Sequence, residues 1–134
     1  MSEANKHLIR RFLTEVFERM DESAVDELVT KDIVMHEPDP PGVLRGIDAF
    51  KGYWRQFANL RDMYIQILDL LAESDKVMAR FHVTARRGGP FLGQEVDEGE
   101  EWHLRTLTMY RCRDGRVAES WTGVGAESLW TTGA

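Results

Sequence analysis

Cysteine is almost absent from this chain, since Cys112 is the only one among 134 residues. A disulfide within the chain is therefore excluded, which is typical of proteins from a reducing compartment. Residues 1–6 contain no apolar signal region, and no run of the sequence approaches the ~20 apolar residues of a membrane span. We therefore expect a cytoplasmic protein that does not associate with a membrane.

Basic charge is also scarce, because lysine and arginine total 17 against 23 aspartates and glutamates, for a net charge of −6. This balance argues against a nucleic-acid partner, which requires concentrated Lys and Arg. The four histidines are scattered, and the segment 36–39 lacks the spacing of a metal-binding frame. Gly88 and Gly89 lie between predicted strands rather than before a helix, so no phosphate-binding loop is visible. We expect neither a metal nor a cofactor.

Apolar residues at helical spacing fill the first part of the chain. They predict a first helix that ends near Asp21 and a short second helix whose N-cap is Asp21 or Ser23. A third helix is predicted to follow Gly46 and to end near Asn59.

Strand patterns dominate the rest of the sequence. A short strand is expected at 33–36, and four longer strands are expected at 63–71, 77–85, 102–112 and 117–124. This order of elements predicts a single α+β domain over residues 1–134, with helices packed on one face of a curved antiparallel sheet.

The last two predicted strands meet at Asp114-Gly115, a dipeptide typical of a tight hairpin turn. This closing hairpin resembles that of the SnoaL-like polyketide cyclases, within the nuclear transport factor 2-like superfamily. Other segments resemble the same proteins at similar spacing, namely 5–12, 32–38, 75–77 and 91–93. The ordered set is specific for the fold and much less specific for the reaction.

The resemblance implies a cone-shaped nuclear transport factor 2-like fold, in which three N-terminal helices and a curved antiparallel sheet enclose one deep pocket. Many members dimerise through the outer face of the sheet, so we expect a homodimer. The superfamily includes polyketide cyclases, ketosteroid isomerase, limonene epoxide hydrolase and many proteins without a known reaction.

The resemblance also implies that catalytic positions have been exchanged in this chain. A catalytic aspartate of related enzymes corresponds to Thr122, and a catalytic histidine of the SnoaL cyclase corresponds to Thr108. Arg80 and His82 resemble the arginine and the first aspartate of the epoxide hydrolase triad, with a histidine in place of the carboxylate. Threonine does not act as a general base near neutral pH, so neither mechanism is expected in its familiar form.

His82 is then the candidate acid–base group, because imidazole titrates near pH 6.5. Strand alternation places Arg80, His82 and Thr84 on one face, which we take to be the pocket face. Arg80 would hold an anionic group of the ligand and would lower the pKa of His82. The alternative is a structural role for His82 as a hydrogen-bonding group in the wall. His103 is expected on the outer face.

Seven residues are expected to bind the substrate. Strand alternation supplies three of them on one face of the strand 102–112 and one on the inner face of the last strand. Two more lie on the third helix, and the resemblance adds a residue at the end of the short strand. They are Trp102, Thr108, Tyr110, Thr122, Tyr53, Trp54 and His36. Such a pocket favours a flat apolar ligand, such as a polyketide, terpenoid or steroid-like ring.

Three functions remain open from the sequence. The leading one is a small cofactor-independent enzyme that transfers protons on an apolar, cyclic or enolisable molecule, by cyclisation, isomerisation or epoxide opening. The second is a non-catalytic small-molecule binding protein, motivated by the missing carboxylates. The third is a structural dimer module with Leu107, Met109 and Trp121 as an outer-face patch. In addition, the segment 86–101 is predicted to be a mobile flap at the pocket mouth.

Overall fold

A computed structural model of the chain describes residues 2–90 and 98–124, within which lie three α-helices and six strands. The helices are α1 (Ser2–Arg11), which continues as a π-helical segment (Phe12–Glu18), α2 (Glu22–Leu28) and α3 (Ile47–Arg55), which continues as a 3₁₀ turn (Gln56–Asn59). The strands are β1 (Val29–His36), β2 (Val43–Arg45), β3 (Leu60–Glu73), β4 (Lys76–Arg87), β5 (Glu101–Arg113) and β6 (Arg116–Val124). These helices are too short or too polar to cross a lipid bilayer.

Capping residues set the helix starts where the sequence predicted them. The side chain of Asp21 caps α2 by accepting a hydrogen bond of 2.9 Å from the backbone N–H of Ser23. Gly46 precedes α3 with a φ of +89°, a conformation that side-chain-bearing residues rarely adopt. Strand β2 was not predicted, because it is three residues long and directly follows a proline-rich segment.

The strands form one sheet in the order β2-β1-β6-β5-β4-β3. Neighbouring strands are antiparallel except β1 and β6, which run parallel with Met35 beside Ser120. The sheet is therefore mixed rather than wholly antiparallel as predicted. Bulges interrupt the pairing of β3 with β4 and of β5 with β6, and such bulges bend strands. The result is the predicted α+β architecture, with three helices on a curved, open sheet.

The closing hairpin has the turn that the sequence predicted. Asp114 and Gly115 both have positive φ, 54° and 74°, as the two central residues of a tight hairpin turn require. The strands that it joins, β5 and β6, lie in the middle of the sheet.

Alternation along β4 identifies the inner face of the sheet. Every second residue is a buried apolar side chain, and these residues are Val77, Ala79, Phe81, Val83 and Ala85. The first four belong to the core that also contains Ile9 and Phe12 of the first helical segment, whereas Ala85 packs with Phe57 and Leu60. Of the predicted flap, residues 86 and 87 belong to β4 and residue 101 to β5, and residues 91–97 lie outside the described residues.

Candidate active site

A cleft lies between the helices and the inner face of the sheet. It encloses about 560 Å³ of space when its open mouth is included. Trp102 in the cleft lining is half-buried, whereas Thr106 and Thr108 further along β5 are 1% and 2% exposed. The lining of the cleft therefore becomes more deeply buried along β5 from Trp102 to Thr108.

The helical side of the cleft is aromatic. Phe12, Phe17 and Phe57 form an edge-to-face row, with ring centroids 5.4 and 5.2 Å apart. Such a row presents a continuous apolar surface to a ligand ring.

The wall formed by β5, β6 and the end of β1 is polar by contrast. It carries one carboxyl group, from Glu37, and a set of hydroxyls from Thr106, Thr108, Ser120 and Thr122. The described residues that line the cleft include no Lys, Arg or His. The carboxyl group of Glu37 is thus held without a positive charge beside it in the described wall.

Both oxygens of the Glu37 carboxyl group accept hydrogen bonds from neutral donors. Tyr53 on α3 donates to Oε1 at 3.0 Å, and Thr122 on β6 donates to Oε2 at 2.5 Å. Two donors from opposite sides of the cleft fix the orientation of the carboxyl group.

Strand geometry explains why Glu37 faces the cleft. Ile33 and Met35 are inward-facing residues of β1, and Glu37 follows at the same two-residue spacing. The parallel register places Met35 beside Ser120 and therefore brings Glu37 to the level of Thr122. The backbone N–H of Glu37 donates to the carbonyl of Gly42 at 3.1 Å, which holds the chain at this point.

Burial raises the pKa of Glu37, and the hydrogen bonds donated by Thr122 and Tyr53 only partly oppose that effect. The pKa of Tyr53 is also raised, first by burial and then by the charge of Glu37, so its hydroxyl remains a neutral donor. The site therefore holds a carboxyl group whose protonation equilibrium lies closer to neutral pH than that of an exposed glutamate, which is what general acid–base catalysis requires.

Five of the seven predicted substrate-binding residues line the cleft. They are Tyr53, Trp102, Thr108, Tyr110 and Thr122. The hydroxyl oxygens of Thr106 and Thr108 lie 2.7 Å apart and form a hydrogen bond within the wall.

Trp54 and His36 do not line the cleft, so the structure corrects their predicted placement. Trp54 is 3% exposed in the core and its Nε1–H donates to the carbonyl of Val16 at 2.6 Å. His36 lies on the outer face, where its Nε2 is 2.7 Å from Glu119 and its ring stacks on Trp121. The reason is alternation, because Met35 and Glu37 point inward and the residue between them must point outward.

Arg80 and His82 were also placed on the wrong face. Both alternate with the buried residues of β4 and lie on the outer surface, where Arg80 forms an ion pair of 2.6 Å with Asp69. His82 Nε2 lies 3.1 Å from Nδ1 of His103, which occupies the predicted outer face. The pKa of His82 is lowered by burial and then by Arg105 and His103, not by Arg80. These two residues do not reach the cleft.

Glu37 is the site residue that the sequence analysis did not select. It precedes Pro38, after the predicted end of the strand 33–36, and was covered only by the segment 36–39, which lacks the spacing of a metal-binding frame. The available signal was its two-residue spacing from Ile33 and Met35.

Another reactive group, the thiol of Cys112, lies outside the cleft lining, and burial raises its pKa to about 11.

The model of the SnoaL-like polyketide cyclase family matches residues 7–124 of this chain. Among solved structures, IdmH from Streptomyces antibioticus, described as a candidate polyketide cyclase, is 28% identical, with a TM-score of 0.73 over 89% of this chain and 90% of that one. TsrD from Streptomyces laurentii is 24% identical, with a TM-score of 0.79 over 96% of this chain and 93% of that one. No curated protein matches the sequence.

Proposed function

This chain belongs to the SnoaL-like polyketide cyclase family, and we propose that it is a cofactor-independent enzyme in which Glu37 transfers a proton on an apolar, enolisable small molecule. The observation that carries the proposal is the carboxyl group of Glu37. It lies in a largely apolar cleft, is held on both oxygens by neutral donors, and has a raised pKa. The family and the similarity to IdmH support a cyclase-type role on a small molecule.

Glu37 supplies the carboxylate that the sequence lacks at position 122. By resemblance, related enzymes carry a catalytic aspartate where this chain has Thr122. Here the hydroxyl of Thr122 donates to Glu37, so a carboxyl group from the neighbouring strand end occupies the space in front of Thr122. We propose that this exchange preserves the proton-transfer chemistry with a different residue.

The proposed reaction begins when the carboxylate of Glu37 accepts a proton from a carbon next to a ligand carbonyl. The electron pair of the broken C–H bond moves into the carbonyl and gives an enolate. In a cyclisation, the enolate carbon then forms a C–C bond with a second carbonyl carbon of the same molecule. The protonated Glu37 returns its proton to the new alkoxide, so the overall reaction is an isomerisation and the enzyme is regenerated.

The proposed mechanism assigns separate roles to the neighbours of Glu37. Tyr53 and Thr122 orient the carboxyl group and moderate its pKa, because both donate to its ionised form. The aromatic row on the helices excludes water from the reacting carbon. The hydroxyls of Thr106 and Thr108 share one hydrogen bond, so one O–H group of the pair is left as a neutral donor that can stabilise the enolate oxygen.

The exchange of the α-protons of 2-tetralone in heavy water tests this proposal, because 2-tetralone is flat, apolar and readily enolised. Exchange is followed by proton NMR with the wild-type protein, Glu37→Gln and Glu119→Gln. Glu119 is a matched control because it lies on the adjacent strand but faces the outer surface, where it contacts His36. We expect Glu37→Gln to lower the rate about 10²- to 10⁴-fold, and Glu119→Gln to leave it near the wild-type value.

Two results would contradict the proposal. If Glu37→Gln exchanged the protons as fast as the wild type, Glu37 would not be the acid–base group. If the wild-type protein bound 2-tetralone without accelerating exchange, the protein would be better described as a non-catalytic binding protein.

We further propose that the protein forms a homodimer through the outer face of its sheet. An apolar stripe crosses β3 to β6 on this face, where the register aligns Leu71, Met78, Met109 and Trp121. Leu71 is 66% exposed, which leaves apolar area available to a partner. Light scattering of the wild type and of Leu71→Glu tests this, and a wild type that is monomeric at all concentrations would contradict it.

A further inference from the structure

Ser120 lines the cleft, and its hydroxyl group is buried. The residue is 2% exposed, and its Oγ has no hydrogen-bond partner among residues 2–90 and 98–124. Buried hydroxyls are nearly always paired, because an unpaired one loses its hydrogen bonds to water on folding. An exception that lines a ligand cleft therefore needs an explanation.

The neighbouring hydroxyls of the same wall are already paired, which makes Ser120 distinctive. Thr122 donates to Glu37, and Thr106 pairs with Thr108. The residues directly across the sheet from Ser120 are Tyr110 on β5 and Met35 on β1. The hydroxyl of Ser120 can therefore both donate and accept a hydrogen bond, and it does neither within the described part of the protein.

The position of Ser120 relative to Glu37 follows from the register. Thr122 and Ser120 are inward-facing neighbours on β6, which are separated by about 6.6 Å along a strand. Glu37 lies at the level of Thr122, and Ser120 lies beside Met35, one step deeper in the cleft. A ligand whose reactive atom touches Glu37 therefore extends toward Ser120 over a length close to that of a fused pair of rings.

We propose that Ser120 is a specificity residue that binds a second oxygen of the ligand, on the part of the molecule that lies deeper than Glu37. The ligand then carries a second oxygen-bearing group, a hydroxyl or a carbonyl, about 6.6 Å from its reactive end. This inference rests on the proposed function, because it takes Glu37 as the contact for the first oxygen-bearing end.

A pair of phenols provides the test. The Kd values of 2,6-dihydroxynaphthalene and 2-naphthol, which differ by the second hydroxyl, are measured by titration calorimetry for the wild type, Ser120→Ala, Cys112→Ala and Glu37→Gln. Cys112→Ala is the matched control, because it also removes one γ atom from a buried sheet residue but lies outside the cleft lining. We expect the wild type to prefer the dihydroxy compound about 5- to 10-fold.

This preference should disappear in Ser120→Ala and persist in Cys112→Ala. A wild type without the preference, or one that binds neither phenol, would overturn the inference. A preference that persists in Ser120→Ala would also overturn it, because the second hydroxyl would then bind elsewhere and Ser120 would hold only water.

The failure of this inference is distinguishable from the failure of the proposed function. Loss of proton exchange in Glu37→Gln, combined with an unchanged preference in Ser120→Ala, would leave the proposed function and remove the role of Ser120. Normal exchange in Glu37→Gln, combined with a lost preference in Ser120→Ala, would leave Ser120 as part of a binding site and remove the catalytic role of Glu37.

Discussion

The hydroxyl of Thr122 donates a hydrogen bond of 2.5 Å to Oε2 of Glu37 and so connects β6, near its end, to the residue that follows β1. These residues are 85 positions apart in the sequence. Their contact is possible because β1 and β6 are parallel neighbours, a pairing that no local pattern predicts. The hydroxyl of Thr122 thus binds a carboxyl group that follows a different strand.

Replacing Thr122 with valine should raise the pKa of Glu37 further. The lost hydrogen bond stabilises the ionised carboxylate, so its removal favours the protonated form. In the pH profile of 2-tetralone exchange, the acidic limb should move to higher pH. Thr122→Ser keeps the donor and should retain the wild-type profile, whereas identical profiles for the valine and wild-type proteins would show that the bond does not tune Glu37.

Glu37 should also make folding stability depend on pH. Its pKa is raised in the folded state, so its contribution is most favourable below the unfolded pKa of about 4.3 and is lost as pH rises through the folded pKa. Glu37→Gln cannot ionise and does not suffer this loss. The stability of the variant minus that of the wild type should therefore increase from about pH 4 to about pH 8. Urea denaturation of both proteins at each pH measures their free energies of unfolding. If the difference between the two proteins did not change with pH, the raised pKa would be contradicted.

Much of the fold could be predicted from the sequence because the signals are local. The Asp21 cap and the Asp114-Gly115 turn were found where the sequence placed them. The parallel pairing of β1 with β6 could not be predicted, because it depends on how distant segments meet.

The candidate site was harder to predict because the face of a strand is a choice between two alternatives. For β4, the polar side containing His82 was taken as the pocket face by resemblance, although Phe81 and Val83 mark the opposite side as inner. For β5, where the apolar and hydroxyl side was chosen, the placement of Thr108 was correct. Glu37 was missed because a charged residue next to a proline is typical of an exposed loop.

The outer-face position of His82 gives a simple prediction. His82→Ala should exchange 2-tetralone protons within about 2-fold of the wild-type rate and change stability by less than about 0.5 kcal/mol, as is usual for surface substitutions. Arg80→Ala removes an ion pair with a half-exposed Asp69 and should behave similarly. A loss of exchange above 10²-fold in a folded His82→Ala protein would restore the catalytic role that the sequence suggested.

Trp54 should affect stability rather than ligand binding. Trp54→Phe keeps most of the buried ring but leaves the carbonyl of Val16 without its donor, at a cost of about 1–3 kcal/mol. Trp54→Ala should cost about 3–5 kcal/mol, because it leaves a cavity in the core. Denaturant unfolding measures both, and a phenylalanine variant that retained full stability but lost binding of 2-naphthol would place Trp54 at the ligand instead.

Ser120→Ala should be at least as stable as the wild type. Removing a buried hydroxyl without a partner removes a desolvation penalty of about 1–3 kcal/mol and leaves little extra space. Thermal unfolding without ligand measures the difference, with Cys112→Ala as the comparison. A clear loss of stability in Ser120→Ala would mean that its hydroxyl supports the fold itself.

The most direct test of the catalytic role of Glu37 is a titration of its carboxyl carbon by NMR, which requires no substrate. The resonance is assigned by its absence in Glu37→Gln, and its midpoint is compared with those of the other glutamates. A midpoint clearly above the ordinary glutamate pKa of about 4.3 is expected from burial without a positive partner. A midpoint at or below that value would show that the cleft holds an ordinary carboxylate and would contradict its assignment as the acid–base group.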